Sequence, residues 1–121
     1  AAEFIHSPVF ALQSMYDSWQ TDHVQGTGGA AKTKVLGKNI TERLLKSLLA
    51  KNPRSGAFLD SCRHHCGSWN SISIDGDLVS TALQKWYHGL ARAGSKRLWN
   101  QNRTFPCEDC CQPDEATLFV V

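Results

Sequence analysis

Two short segments carry side chains that do chemistry. Tyr16-Asp17-Ser18-Trp19-Gln20 sets a carboxylate beside an aromatic ring, and Asp60-Ser61-Cys62-Arg63-His64-His65-Cys66 sets two adjacent imidazoles between two thiols. A carboxylate bonded to an imidazole fixes the ring's tautomer, and the other ring nitrogen then accepts a proton from an attacking hydroxyl. Asp17 and the His64-His65 pair have the types for that relay. Plainer roles compete: an Asp that caps a loop, and a His hydrogen-bonded within the structure. The relay lacks its third member, because no Gly-x-Ser-x-Gly nucleophile turn occurs in the chain.

The elements that must position these residues follow from hydrophobic patterning. Residues 9–15 form a short apolar run without Gly or Pro, which suits a strand buried on both faces. Residues 25–31 are glycine-rich and read as a flexible loop. A helix is expected over 38–50, with Leu36, Ile40, Leu44, Leu45, Leu48 and Leu49 in one stripe and Pro53 as its stop. A second strand over 55–61 delivers the chain to Cys62. A second helix over 77–88 has Asp77 as its expected N-cap and ends at Gly89 or Gly94. Residues 96–121 read as an irregular, cysteine-rich tail pinned by disulfides.

Alternating strands and helices define an α/β fold with parallel strands and crossover helices. Two buried strands make a poor sheet alone, so the chain is expected to be a single partial domain, 1–121, whose sheet continues on a missing segment. In open α/β sheets functional side chains gather where strands end. Asp17 follows the first strand and the histidine pair follows the second, which is the late half of the Ser…Asp…His order of α/β-hydrolases.

The five cysteines, Cys62, Cys66, Cys107, Cys110 and Cys111, and the sequons at Asn39 and Asn102 lean toward an oxidising compartment and candidate glycosylation. An odd count leaves one thiol free or bonded to another polypeptide. Zinc held by Cys62, Cys66, Cys107 and Cys110 with His64 or His65 is the disfavoured rival, because a full helix separates the pairs. With 13 Lys+Arg against 11 Asp+Glu in 121 residues the net charge is +2, too small for a nucleic-acid footprint. No window approaches the roughly 18 apolar residues of a membrane span. The opening residues interrupt any signal-peptide core with Glu3, His6 and Pro8, so a secretory signal is expected upstream of this numbering.

Pro8-Val9-Phe10, Tyr16-Asp17-Ser18-Trp19-Gln20, Phe58-Leu59-Asp60-Ser61-Cys62-Arg63-His64-His65-Cys66, Trp86-Tyr87 and Phe105-Pro106-Cys107 resemble the C-terminal portion of the pectin acetylesterase and Notum carboxylesterase family. The resemblance implies a secreted, extracellular or cell-wall, disulfide-linked α/β-hydrolase that removes acyl groups with a Ser-Asp-His triad and no cofactor or metal. Asp17 matches the triad acid and His65 the base. His64 falls on a variable position and, with Trp19, is a weak candidate for substrate contact. The serine would lie on an upstream chain of the same precursor, and the substrate would be an acylated polysaccharide or acylated protein. A catalytically silent binding or structural module is the alternative.

Two departures from the family matter. Arg103 stands where the family carries a Cys, and Cys110 is extra. The resemblance implies that Cys62 and Cys66 pair into the tail, with the unmatched thiol bridging to an upstream chain. Two weaker features remain: the glycines of 26–29 as an anion cradle, and Arg92, Lys96, Arg97 and Arg103 near Trp99 as either a solvated surface or a contact for an acidic polysaccharide.

Overall fold

The computed structural model describes residues 4–24, 29–107 and 109–111. The chain runs β1 (Phe10–Ser14), α1 (Gly29–Arg43), β2 (Gly56–Asp60), β3 (Ser73–Ile74), β4 (Asp77–Leu78), α2 (Val79–Gly89) and β5 (Leu98–Asn100), with short helical turns at Gln20–Val24, Leu44–Leu49, Trp69–Ser71 and Asp109–Cys111. The α/β expectation holds: β1, β2 and β5 form a parallel sheet in that order. β2 is the middle strand and every one of its residues is buried, which is why it reads as an unbroken apolar run.

Alternation along β2 sorts the core onto two faces. Ala57 and Leu59 pack with Leu49, and Leu44, Leu45, Ala11 and Leu98 close that side. Phe58 points the other way, into Cys62, Ile72, Ile74, Val79, Ala82, Trp86 and Trp99. Leu44–Leu49, continuous with α1, therefore packs on one face and α2 on the other. At the start of β2 there is no room for a side chain. A Cβ on Gly56 would stand 2.7 Å from both the Arg97 carbonyl oxygen and Trp86 Cδ1, and 2.8 Å from Phe10.

Several expectations change. Gly29-Ala30-Ala31, expected in a loop, opens α1, because Ala30, Ala31 and Lys32 are strong helix formers once Gly29 takes its positive φ of 60°. Residues 25–28 lie outside those described. The leucine stripe does end near residue 50, but Leu44–Leu49 winds as wider π turns. Beyond it, one Arg97 nitrogen donates to the carbonyls of Leu49, Asn52 and Ser55 at 2.9–3.1 Å, which satisfies acceptors that a helix end leaves open.

The tail is not wholly irregular. It contributes β5, whose Trp99 is fully buried between α2 and the sheet; three residues were too few to show a strand period. Residues 112–121 lie outside those described. Cys62 pairs with Cys111 and Cys107 with Cys110, so one of the two expected links into the tail forms. Cys66 is an exposed free thiol. The Arg103 guanidinium meets Asp109 at 3.2 Å.

Asp77 is not a helix cap. It sits in β4 of a tight hairpin whose corner, Asp75-Gly76, has both residues at positive φ, the two-residue turn that Asp-Gly favours. Helix α2 starts two residues later, without a side-chain cap. The Asp77 carboxylate instead joins two distant elements, accepting from Lys85 Nζ at 2.8 Å and Trp99 Nε1 at 2.9 Å. The Lys85 ammonium first, and the Trp99 bond second, hold its pKa below the ordinary 3.8.

Two outcomes are expected. Gly56→Ala, which forces a methyl into the Arg97 backbone, lowers stability by about 1–3 kcal/mol in urea unfolding. Because the folded pKa of Asp77 is depressed, its contribution is complete above 3.8 and drains away as pH falls through the lower folded value. Asp77→Asn should flatten that acid limb when urea midpoints are compared between about pH 5 and pH 2.

Candidate active site

Parallel register fixes where the chemistry-bearing loops emerge. Ser14 lies beside Asp60, so the loops leaving β1 and β2 start together at one edge of the sheet. Ser14 binds both: its hydroxyl donates to the Cys62 carbonyl and accepts from Tyr16 N–H at 3.1 Å. The Ser18 amide donates to the His64 carbonyl at 3.0 Å. Tyr16 is buried, with its hydroxyl donating to the Arg103 carbonyl at 2.8 Å and accepting from Phe105 N–H at 3.1 Å. The ring fills the space over Gly37, where any Cβ would collide with it.

Asp17 is 5% exposed, and its two oxygens do two jobs. Oδ1 accepts the Gln20 N–H at 2.8 Å, capping the turn that follows. Oδ2 accepts from His65 Nδ1 at 2.7 Å. The capping role and the ring-orienting role thus coexist on one carboxylate. His65 keeps 44% of its side chain exposed, and its Nε2 has no hydrogen-bond partner among the described residues. With Nδ1 donating to Asp17, a neutral His65 presents a bare lone pair at Nε2.

His64 is wired differently. Its Nε2 donates to Asp60 Oδ2 at 2.8 Å and its Nδ1 to the Gly67 carbonyl at 2.8 Å. Acceptors at both nitrogens select the doubly protonated ring. Burial by itself would lower the His64 pKa, but the Asp60 hydrogen bond and charge, the Gly67 carbonyl and the charge of Asp17 together raise it above 6.5. Trp69 packs edge-on against the ring at 4.4 Å. His64 is therefore turned into the protein while His65 is turned out.

Asp60 had no assigned role in the sequence, where it reads only as the end of a strand. It is fully buried, and its Oδ1 accepts the Cys62 N–H at 2.9 Å. An Asp two residues before a turn is the available signal for such a bond; nothing in the spacing announces its contact with His64. Trp19 is about half exposed. Its ring stacks on His23 at 5.0 Å and lies 6.1 Å from His65 at an interplanar angle of 29°, giving the exposed imidazole an aromatic wall.

No serine hydroxyl among the described residues bonds to His65. Ser14, Ser55 and Ser61 are buried with their hydroxyls engaged, Ser55 Oγ with Val9 N–H and Ser61 Oγ with Arg103 N–H. The sulfurs of Cys62, Cys110 and Cys111 cluster within 4.8 Å, but all three are in disulfides. Of the rival zinc set, Cys62, Cys107 and Cys110 are disulfide-bonded and His64 has both nitrogens occupied, which leaves Cys66 and His65. The expected basic surface is also mostly paired: Lys96 meets Asp75 at 2.7 Å and lies over Trp99, Arg103 meets Asp109, and Arg97 binds backbone carbonyls. Of the candidate anion cradle, residues 26–28 lie outside those described. Asn39 and Asn102 are both exposed. No described helix is long and apolar enough to cross a membrane.

No family model matches the chain. Pectin acetylesterase 7 of Arabidopsis thaliana is 23% identical over 113 residues, which cover 70% of this chain and 29% of that protein. The similarity is distant, and the chain spans less than a third of the length of the curated relative it matches.

Asp17→Ala removes both bonds made by the carboxylate. The uncapped Gln20 amide should cost about 1 kcal/mol of stability in urea unfolding. In the same variant the low-field Nδ1 proton of His65 should vanish from the proton NMR spectrum.

Proposed function

We propose that this chain is the C-terminal portion of a secreted carboxylic-ester hydrolase of the pectin acetylesterase kind, built on an α/β-hydrolase sheet, and that it supplies the acid and base of a Ser-Asp-His triad. The observation that carries this reading is the 2.7 Å bond from His65 Nδ1 to a buried Asp17, which leaves Nε2 exposed and unpartnered among the described residues. The distant similarity to a pectin acetylesterase supports the same class. The disulfides and the exposed sequons Asn39 and Asn102 are in keeping with secretion and glycosylation.

In this mechanism the serine comes from a segment upstream in the same precursor, which also provides oxyanion donors and further strands. His65 Nε2 takes the serine proton as the oxygen attacks the acyl carbon, and Asp17 stabilises the resulting imidazolium without taking the proton. The tetrahedral adduct collapses as the imidazolium returns that proton to the departing alcohol. Water then repeats the cycle on the acyl-enzyme, releasing a carboxylic acid and restoring the serine. The substrate is an acylated polysaccharide or acylated protein, and Trp19 lines its path to the base.

The test is fluorophosphonate labelling of the full-length protein with parallel ester-hydrolysis assays. A single labelled serine, and a loss of at least about a thousandfold in kcat for His65→Ala against a far smaller loss for His64→Ala, are expected. Absence of any reactive serine would replace the esterase reading with a catalytically silent module.

A further inference from the structure

We propose that His64 is a positioning residue of the triad: its doubly protonated ring clamps the loop that carries His65 against the end of β2, and removal of one ring proton releases that loop, which gives the site an alkaline limit set by Asp60.

The geometry of the clamp is closed on every side. Asp60 Oδ2 holds Nε2 and the Gly67 carbonyl holds Nδ1, each at 2.8 Å, so the ring staples the two ends of the loop between β2 and the Trp69–Ser71 turn. The backbone of the same residue reaches across to the other loop, its carbonyl accepting the Ser18 N–H at 3.0 Å, one residue from Asp17. Displacing His64 therefore moves both partners of the Asp17–His65 bond. The charged groups that face the ring are Asp60 from β2 and Asp17 from the loop after β1; from the Trp69–Ser71 turn comes only the uncharged Trp69. Arg63, the nearest cation in sequence, is turned away onto Asp22.

Protonated, the ring meets an acceptor at each nitrogen. Deprotonated, one nitrogen turns a lone pair toward an acceptor oxygen, either the fully buried Asp60 carboxylate or the Gly67 carbonyl, and that bond becomes a repulsion. The raised pKa of His64 accords with this. Since the folded value lies above the ordinary 6.5, the stabilisation is complete below 6.5 and is lost as pH climbs through the folded value.

Asp60→Asn separates the clamp from its charge. The Asn oxygen can still accept the Cys62 N–H, while its amide donates to a neutral His64 Nε2, so the contacts survive and the need for a second ring proton disappears. Nitrogen-15 NMR of histidine-labelled full-length protein reads this directly. In the wild type, His64 should show two bound ring protons at pH 6.5 and lose one only above it. In Asp60→Asn it should titrate lower and keep the Nδ1 proton alone. The Nδ1 proton of His65 should broaden in the wild type as His64 deprotonates, and persist through the same range in the variant.

The kcat measurements rest on the proposed esterase activity: the alkaline fall of kcat in the wild type should move or vanish in Asp60→Asn with KM unchanged. The wild-type titration needs neither a variant nor an active enzyme, so its outcome stands even if no reactive serine is found. A singly protonated His64 at pH 6.5 in the wild type overturns the inference. So does a His65 proton signal indifferent to the state of His64.

Discussion

The in-register parallel pairing of Phe10–Ser14 with Gly56–Asp60 is the constraint on which the rest depends. Because Ser14 and Asp60 are partners, the residues that follow each strand leave the sheet at the same height, and Asp17 and His65 meet although a long helix separates them in sequence. Everything nearby holds that register. Gly56 lets Trp86 and the Arg97 backbone close on the start of β2, and Ser14 ties Tyr16 to Cys62 at its end. A slip of one residue would turn Phe58 and Leu59 onto the wrong faces and separate the two loops.

The site holds two Asp-His pairs of nearly equal length whose wiring assigns them opposite behaviour. Each carboxylate spends one oxygen on a backbone amide, Gln20 for Asp17 and Cys62 for Asp60, and the other on an imidazole. What differs is the second ring nitrogen. That of His64 meets the Gly67 carbonyl, which favours a fixed cation. That of His65 is without a hydrogen-bond partner among the described residues. Adjacent residues of one type are thus divided by a single carbonyl.

The α/β order, the two long strands and the meeting of Asp17 with His65 were legible because they are written in local patterns: apolar runs, a leucine stripe, and polar residues placed where strands end. The features that escaped depend on tertiary contacts. Asp77 has the residue type and position of a helix cap, yet the Trp99 and Lys85 side chains claim its carboxylate from elsewhere in the chain. β5 is three residues long and is stabilised by burial of Trp99, which no period reveals. The Asp60–His64 bond joins residues in a turn whose shape is set by the loop as a whole. Cys66 was expected to pair into the tail because its sequence neighbourhood resembles that of a paired cysteine, but Cys111 bonds to Cys62 and Cys107 to Cys110, and Cys66 is left as a free thiol.

The placement of β2 between an earlier and a later strand has a consequence for the nascent polypeptide. Its first neighbour, β1, has already left the ribosome when β2 emerges, but its second, β5, is made only after α2. From its emergence until β5 follows, the strand that is buried along its whole length in the finished sheet offers one bare edge to any other extended chain. Pairing of β5, with Trp99 beside Phe58, ends that exposure, so the last short strand acts as the protective cover of the middle one.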